Sequence, residues 1–275
     1  MTIFADKIAI ITGAASGIGR ALGEELARRG AISVMVDIQT KLLEEVVDSL
    51  TQAGYKAKAV TLDVTDFEAV KALIGDTTAQ YGRLNYIFNN AGIAVGGEVR
   101  DCSIDDWRSV LDVNLFGVVN GVAAAYPLMV KQGFGHIINT ASIEGLIPFP
   151  NTVSYVSSKH GVVGMSNALR IEGAELGVNV SVVCPGYIKT AIFHTCKLIK
   201  IDRKKMLESL PEPFGITPEK CALVILRGVK RNKAIIVVTG FAKTLWLLHR
   251  INPGLIFWWM RREVKKSRDE MRVDD

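Results

Sequence analysis

Seven short runs of β-branched and apolar residues, separated by longer stretches of helical periodicity, constrain this chain more than any other feature. The runs are "KIAIIT", "ISVMVD", "KAVTLDV", "LNYIFNNAG", "GHIINTAS", "VNVSVVCPG" and "KAIIVVTG". Helical patterns lie between them over residues 17–29, 41–53 and 67–81, in a long region ending at 131, over about 153–176, and from near 217. The runs are continuously apolar rather than alternating, which means burial on both faces: parallel strands with helices packed on each side. With 275 residues, 49% of them hydrophobic, the chain can build one large core. The expected architecture is an α/β doubly wound parallel seven-stranded sheet over 1–240, followed by a helical, aromatic and basic extension over 241–275.

Composition narrows the function classes. The four cysteines, Cys102, Cys184, Cys196 and Cys221, form no C-x-x-C pair and have no histidine at metal-ligand spacing, so reduced thiols and no metal centre are expected. The first apolar run reads as a buried strand rather than a secretory signal, and no stretch reaches the roughly 18 uninterrupted apolar residues of a membrane span. A cytoplasmic protein is therefore expected. Its net charge of +5 is unevenly placed. Residues 1–196 carry 15 basic and 19 acidic side chains, a net −4, and residues 197–275 carry 18 and 9, a net +9. That asymmetry points to an anionic partner for the C-terminal part, but no recognition motif accompanies it and nucleic acid is not expected.

In open parallel sheets, ligands bind beyond the carboxyl ends of the strands, and the unusual residues of this chain gather there. After the first strand, "TGAASGIGR" places Gly13, Ser16, Gly17, Ile18 and Gly19 where missing side chains let backbone amides and a helix N-terminus approach a phosphate. Asp37 ends the second strand, where a carboxylate accepts from ribose hydroxyls and repels a 2′-phosphate. Neither the loop nor Ile38 offers a basic group for that phosphate, and Arg20 is expected to face outward, which favours NAD over NADP. Asp63 and Val64 follow the third strand, and Asn89-Asn90-Ala91-Gly92 the fourth. Each position also has an ordinary turn-forming reading. Ser142 ends the fifth strand, Tyr155 and Lys159 share a helix face at i and i+4, and Asn114 on an apolar helix needs a buried partner.

Taken together, Thr12-Gly13-x-x-x-Gly17-Ile18-Gly19, Asn89-Asn90-Ala91-Gly92, Asn114, Ser142, Tyr155-x-x-x-Lys159 and Pro185-Gly186 resemble the short-chain dehydrogenase/reductase family over about residues 5–240. The resemblance implies a Rossmann-like fold and a catalytic set of Asn114, Ser142, Tyr155 and Lys159. It also implies that Asp63 and Val64 contact adenine, Asn90 the adjoining ribose, Lys159 the nicotinamide ribose, and Ile188 and Thr190 the carboxamide. A tyrosine with its ordinary pKa of about 10 is a poor base near neutrality. The ammonium of Lys159 and a positive nicotinamide ring are expected to lower it, making Tyr155 the base for alcohol oxidation and the acid for carbonyl reduction. Ser142 would hydrogen-bond the substrate oxygen.

Apolar residues follow the site residues: Leu146, Ile147, Pro148, Phe149 and Pro150, then Tyr187, Ile188 and Phe193. They suggest a hydrophobic alcohol or ketone of steroid, retinoid or long-chain type, or else they cover the core. The segment 190–213 resembles the family's substrate lid. Its Lys197, Lys200, Arg203, Lys204 and Lys205 suit either the anionic tail of a 3-oxoacyl thioester or a solvated face. The extension, with "LWLL", "LIFWWM" and a following basic run, suits a subunit or body contact, a peripheral membrane contact through 241–268, or a cover over the substrate entrance. A homodimer or homotetramer is expected. The competing reading from outside enzymology is a nucleotide-binding, membrane-associated regulator, against which the complete catalytic set stands.

Overall fold

A computed structural model describes residues 3–273 of the chain. Its main sheet contains β1 (Ile8–Thr12), β2 (Ile32–Asp37), β3 (Ala57–Thr61), β4 (Tyr86–Asn89), β5 (Gly135–Thr140), β6 (Val178–Cys184) and β7 (Ile235–Val237). All neighbours pair in parallel, in the order β3-β2-β1-β4-β5-β6-β7. Ile10 lies opposite both Val34 of β2 and Ile87 of β4, so β1 is the axis of the sheet. After β3 the chain crosses back over β1 to begin β4. That reversal opens a crevice at the carboxyl ends of β1 and β4.

The helices are α1 (Gly17–Arg28), α2 (Thr40–Gln52), α3 (Phe67–Tyr81), α4 (Ile104–Leu111), α5 (Gly117–Gln132), α6 (Val153–Gly173), α7 (Ile192–Thr195), α8 (Arg203–Glu208), α9 (Pro218–Lys230), α10 (Gly240–Ile251) and α11 (Pro253–Glu270). On one face of the sheet, Leu22 and Leu26 of α1, Leu43 of α2 and Ile225 of α9 pack with Ile11 and Met35. On the other, Val70 and Ile74 of α3 and Met129 of α5 pack with Ile10 and Val34. Consecutive residues Ile10 and Ile11 thus serve opposite layers, as the two-residue period of a strand requires. Both faces are covered, which is why the strands read as unbroken apolar runs.

Strand ends fall earlier than the apolar runs suggest. β3 stops at Thr61 because Asp63 turns the chain, its Oδ1 accepting from the Thr65 amide at 2.9 Å. Between α4 and α5 a π turn, Asp112–Phe116, keeps the helix continuous. The combined helix, Ile104–Gln132, has the length and composition to cross a membrane, the one such helix among the described residues. Its Val110, Val118, Ala125 and Met129 are nonetheless buried against the body.

Helices α10 and α11 also pack on the body. Ala242, Leu245, Ile256 and Met260 are buried with Val118, Ile147, Val162 and Val182. The opposite side, with Leu247, Leu248, Ile251, Leu255 and Trp258, is exposed. The end of α11 is fastened by charge. Arg268 donates to both carboxylate oxygens of Glu98, the shortest contact being 2.7 Å, and Arg272 reaches Asp101 at 2.8 Å. The Asp202 amide donates to Met271 O at 2.8 Å, and Asn151 Nδ2 to Ser267 Oγ at 3.1 Å. A clasp therefore joins the C-terminal segment to the loop after β4, the loop before α6 and the segment before α8.

Candidate active site

The glycine-rich turn after β1 is shaped by close approach. A Cβ on Gly19 would run into the Gly13 carbonyl, and Gly17 has φ +53, which favours glycine. Ser16 precedes α1 in extended conformation, and its side chain makes no capping bond to the first-turn amides. Those amides face the crevice with their partial positive charge, a setting for a phosphate. Asp37, buried at the end of β2, braces the turn: Oδ2 accepts from the Ala15 amide at 3.0 Å and Oδ1 from the Gln39 amide at 3.0 Å. Thr12 stitches β1 to the loop after β4, its hydroxyl accepting from the amides of Asn90 and Ala91 at 2.9 and 3.0 Å. Asn90 in turn donates to Thr12 O at 3.2 Å and accepts from Thr140 Oγ1 at 3.2 Å.

Around this floor stand the other expected contacts. Asp63 is exposed and Val64 buried beside α5. Pro185 O accepts from the Ile143 amide at 2.8 Å, which ties Pro185-Gly186 to the turn after Ser142. The Thr190 side chain lies next to Gly17, where an added Cβ would come within 3.3 Å of it. Ile188 is buried in the core with Val183 and Cys221, so its side chain supports the wall of the crevice rather than lining it. The glycine cradle, the uncapped start of α1 and the Asp37 carboxylate together fit a dinucleotide. Asp37 and Asn90 would hold its riboses, and the α1 amides its pyrophosphate.

At the other side of the crevice, Ser142, Tyr155, Lys159 and Asn114 come together from β5, α6 and the π turn. Lys159 is buried, its Nζ donating to Thr140 O at 3.0 Å. Asn114 is fully buried in the π turn. Its Oδ1 accepts from the Ile93 amide at 2.8 Å, and its Nδ2 donates to Ile93 O at 2.8 Å and to Ser158 Oγ at 3.4 Å. Gly92 links the two residues: a Cβ there would lie 3.2 Å from Asn114 Oδ1 and 3.5 Å from Lys159 Nζ. Ser142 Oγ accepts from the Glu144 amide at 3.2 Å, and its own proton faces the Tyr155 phenol, where a substrate oxygen would take its place.

The electrostatics of the phenol are set by its burial and its neighbours. Burial pushes the Tyr155 phenol well above its ordinary value, the nearby Glu144 carboxylate adds to the rise, and a hydrogen bond from Ser142 opposes it. Lys159 Nζ donates to Thr140 O and lies over the phenol ring, 5.3 Å from its centroid. Burial brings Lys159 itself down to about 8, against the opposing influence of Cys184 and Glu144.

Glu144 escapes a motif-led reading of the sequence. It lies in the turn Ile143–Gly145, directly after Ser142, and accepts at Oε2 from Thr152 Oγ1 at 2.7 Å. Burial raises its carboxyl to about 7, with the Thr152 bond and the Lys159 charge acting the other way. The available signal was a single charge inside the otherwise uncharged "ASIEGLIPFPN". Three of the apolar candidates cover the core: Ile147 is fully buried in it, while Leu146 and Phe149 are half-buried against it.

The lid segment uses most of its positive charges internally. Lys197 pairs with Asp106 at 2.6 Å, and Lys200 lies 4.0 Å from Asp101. Arg203 donates to the carbonyls of Phe193, His194 and Cys196, which closes the end of α7. Lys204 and Lys205 remain exposed.

The chain belongs to the short-chain dehydrogenase family, whose model matches residues 7–198. It is 37% identical over 255 residues to SadH, named as an oxidoreductase, from Mycobacterium tuberculosis, covering 91% of this chain and 92% of the relative. It is 40% identical over 204 residues to a cyclohexanol dehydrogenase from Acinetobacter, covering 72% and 80%. A crystal structure of a short-chain dehydrogenase from Burkholderia phymatum in complex with NAD superposes with a TM-score of 0.83 at 28% identity, over 93% of this chain and 96% of that one. The protein is thus an oxidoreductase of Rossmann fold with a nicotinamide-dinucleotide site.

Proposed function

We propose that the protein interconverts a hydrophobic secondary alcohol and its ketone with NAD as preferred cofactor. The observation that carries this reading is the convergence of Ser142, Tyr155, Lys159 and Asn114 at the carboxyl end of the sheet, facing the glycine cradle. The bound cofactor supplies the hydride acceptor and, when oxidised, a positive ring beside the phenol. Ser142 Oγ donates to the carbinol oxygen and fixes it in front of Tyr155. Tyr155 Oη takes the hydroxyl proton during oxidation and returns it during reduction. Lys159, braced by Thr140 O, binds the nicotinamide ribose, and Asn114 holds the loop carrying Gly92 and Ile93 against it. The name of the cyclohexanol relative supports a cyclic or bulky alcohol.

Asp37 supports NAD over NADP, since a 2′-phosphate placed at the ribose would meet a buried carboxylate. The acyl-thioester alternative is weakened because Lys197, Lys200 and Arg203 already face the protein's own carboxylates and carbonyls. A homodimer or homotetramer in the cytoplasm is the assembly proposed. The exposed face of α10 and α11, with Arg250 over Trp246 and Arg262 over Trp258, supports a peripheral contact with anionic lipid.

Purified protein assayed with NAD and NADP against cyclohexanol, steroid, retinoid and acyl-thioester substrates tests the reading. Turnover of alcohols that vanishes in Tyr155→Phe is expected; turnover unaffected by that change overturns it. Flotation with anionic liposomes tests the lipid contact, and protein remaining wholly in the soluble fraction removes it.

A further inference from the structure

Glu144 is a charged side chain with one oxygen spoken for and one not. Oε2 accepts from Thr152 Oγ1 at 2.7 Å, and Oε1 has no hydrogen-bond partner among the described residues. The residue is half-buried, as is Tyr155. Its position is fixed from both ends. Its amide is bonded to Ser142 Oγ, and Thr152 immediately precedes α6, the helix that presents Tyr155. The turn itself lies hard against that helix, since a Cβ on Gly145 would meet Lys159 O at 2.6 Å. A carboxylate is therefore held next to the two groups that grip the reacting oxygen, with an acceptor to spare. A purely apolar pocket would have no use for it, because a half-desolvated carboxylate with one oxygen unpartnered costs free energy.

We propose that Glu144 selects the substrate: its free oxygen accepts a hydrogen bond from a second donor, hydroxyl or ammonium, carried beside the reacting carbinol, and its charge turns away anionic substrates. The inference rests on the alcohol-oxidising reading above and narrows it. The preferred substrate class becomes an apolar body bearing a vicinal diol or amino alcohol rather than a plain monoalcohol. A charge-assisted hydrogen bond of this kind favours the matched substrate by roughly ten-fold or more.

The test compares kcat/KM for cyclohexanol, trans-1,2-cyclohexanediol and trans-2-aminocyclohexanol with NAD, in the full chain and in Glu144→Gln and Glu144→Leu. The unaltered protein is expected to favour at least one of the two donors over cyclohexanol by about ten-fold or more. Glu144→Leu should bring both ratios close to one. Glu144→Gln, which keeps an acceptor oxygen but no charge, should retain more of the diol preference than of the amino-alcohol preference. Which ratio is larger in the unaltered protein identifies the donor. A pH profile separates substrate selection from mere support of the fold. The titratable groups facing Glu144 and Tyr155 are Lys159 from α6 and Cys184 from β6. Removing the carboxylate should move the limb governed by Tyr155 to lower pH. Cyclohexanol turnover with no preference for either donor, or ratios that survive in Glu144→Leu, overturns the inference while leaving the alcohol dehydrogenase reading in place. Absence of turnover with all three alcohols and with the wider panel overturns both.

Discussion

The floor of the crevice and the C-terminal clasp are both polar, and they are built in opposite ways. In the crevice, Asn114, Lys159 and Asn139 are buried, and each is held by backbone or by neighbouring side chains. At the clasp, the Arg268 side chain is half-exposed and shares Glu98 with two further arginines, Arg100 and Arg272. Losing a buried partner leaves a desolvated group unpaired, whereas losing a surface ion pair returns both groups to water. The first arrangement fixes geometry, as proton transfer requires. The second fastens the end of α11 through several exchangeable pairs.

The largest effect that would sharpen this contrast is Tyr155→Phe. Turnover should fall by about 10²–10⁴-fold while thermal unfolding stays near that of the unaltered protein. A large drop in stability would mean that the hydroxyl belongs to the scaffold instead. Next comes Met260→Ala on the buried side of α11, expected to cost about 2–5 kcal/mol by denaturant unfolding. A negligible cost would detach the extension from the core and break the comparison.

Asp37→Ser should narrow the NAD to NADP preference by roughly ten-fold, read as a ratio of kcat/KM values. Smaller is the pH-dependent effect of Glu144→Gln. The folded state raises this carboxyl from 4.5 to about 7, so the stability it contributes is present below pH 4.5 and is lost as pH rises through 7. The variant should lack that decline, gaining on the order of 1–2 kcal/mol over the unaltered protein by pH 8, and unfolding midpoints at several pH values check it. Lys159, lowered to about 8, acts in a separate and more alkaline window and with the opposite sign. The smallest effect on stability is expected for Arg268→Ala, with thermal unfolding nearly unchanged. Arg100 and Arg272 still face Glu98 in that variant, and the remaining difference should shrink at high salt.

What could be read in advance follows the range of the forces involved. The seven parallel strands and both helical layers were legible because burial on both faces writes each strand as an apolar run and each helix as a stripe. Ser142, Tyr155, Lys159 and Asn114 were legible because together, and in their order along the chain, they resemble the motifs of the short-chain dehydrogenase/reductase family. The clasp was not: Glu98 and Arg268 are 170 residues apart and no periodicity connects them. Glu144 was passed over for another reason, since one carboxylate among prolines and leucines carries no pattern of its own. The rise at Tyr155 depends on how deeply the phenol is buried and on Glu144 beside it, and i,i+4 spacing specifies neither.

The π turn at Asp112–Phe116 makes the helix bearing Asn114 one residue longer than its regular neighbours require. Deleting a single residue there would let the segment close into an uninterrupted α-helix, rotating everything beyond it by about 100°. Helical content would scarcely register the change. The amide that clamps Ile93 would nonetheless be carried round to another side of the rod, and the floor beneath Lys159 would lose its anchor. In this region, activity is encoded in a count of residues as much as in their identity.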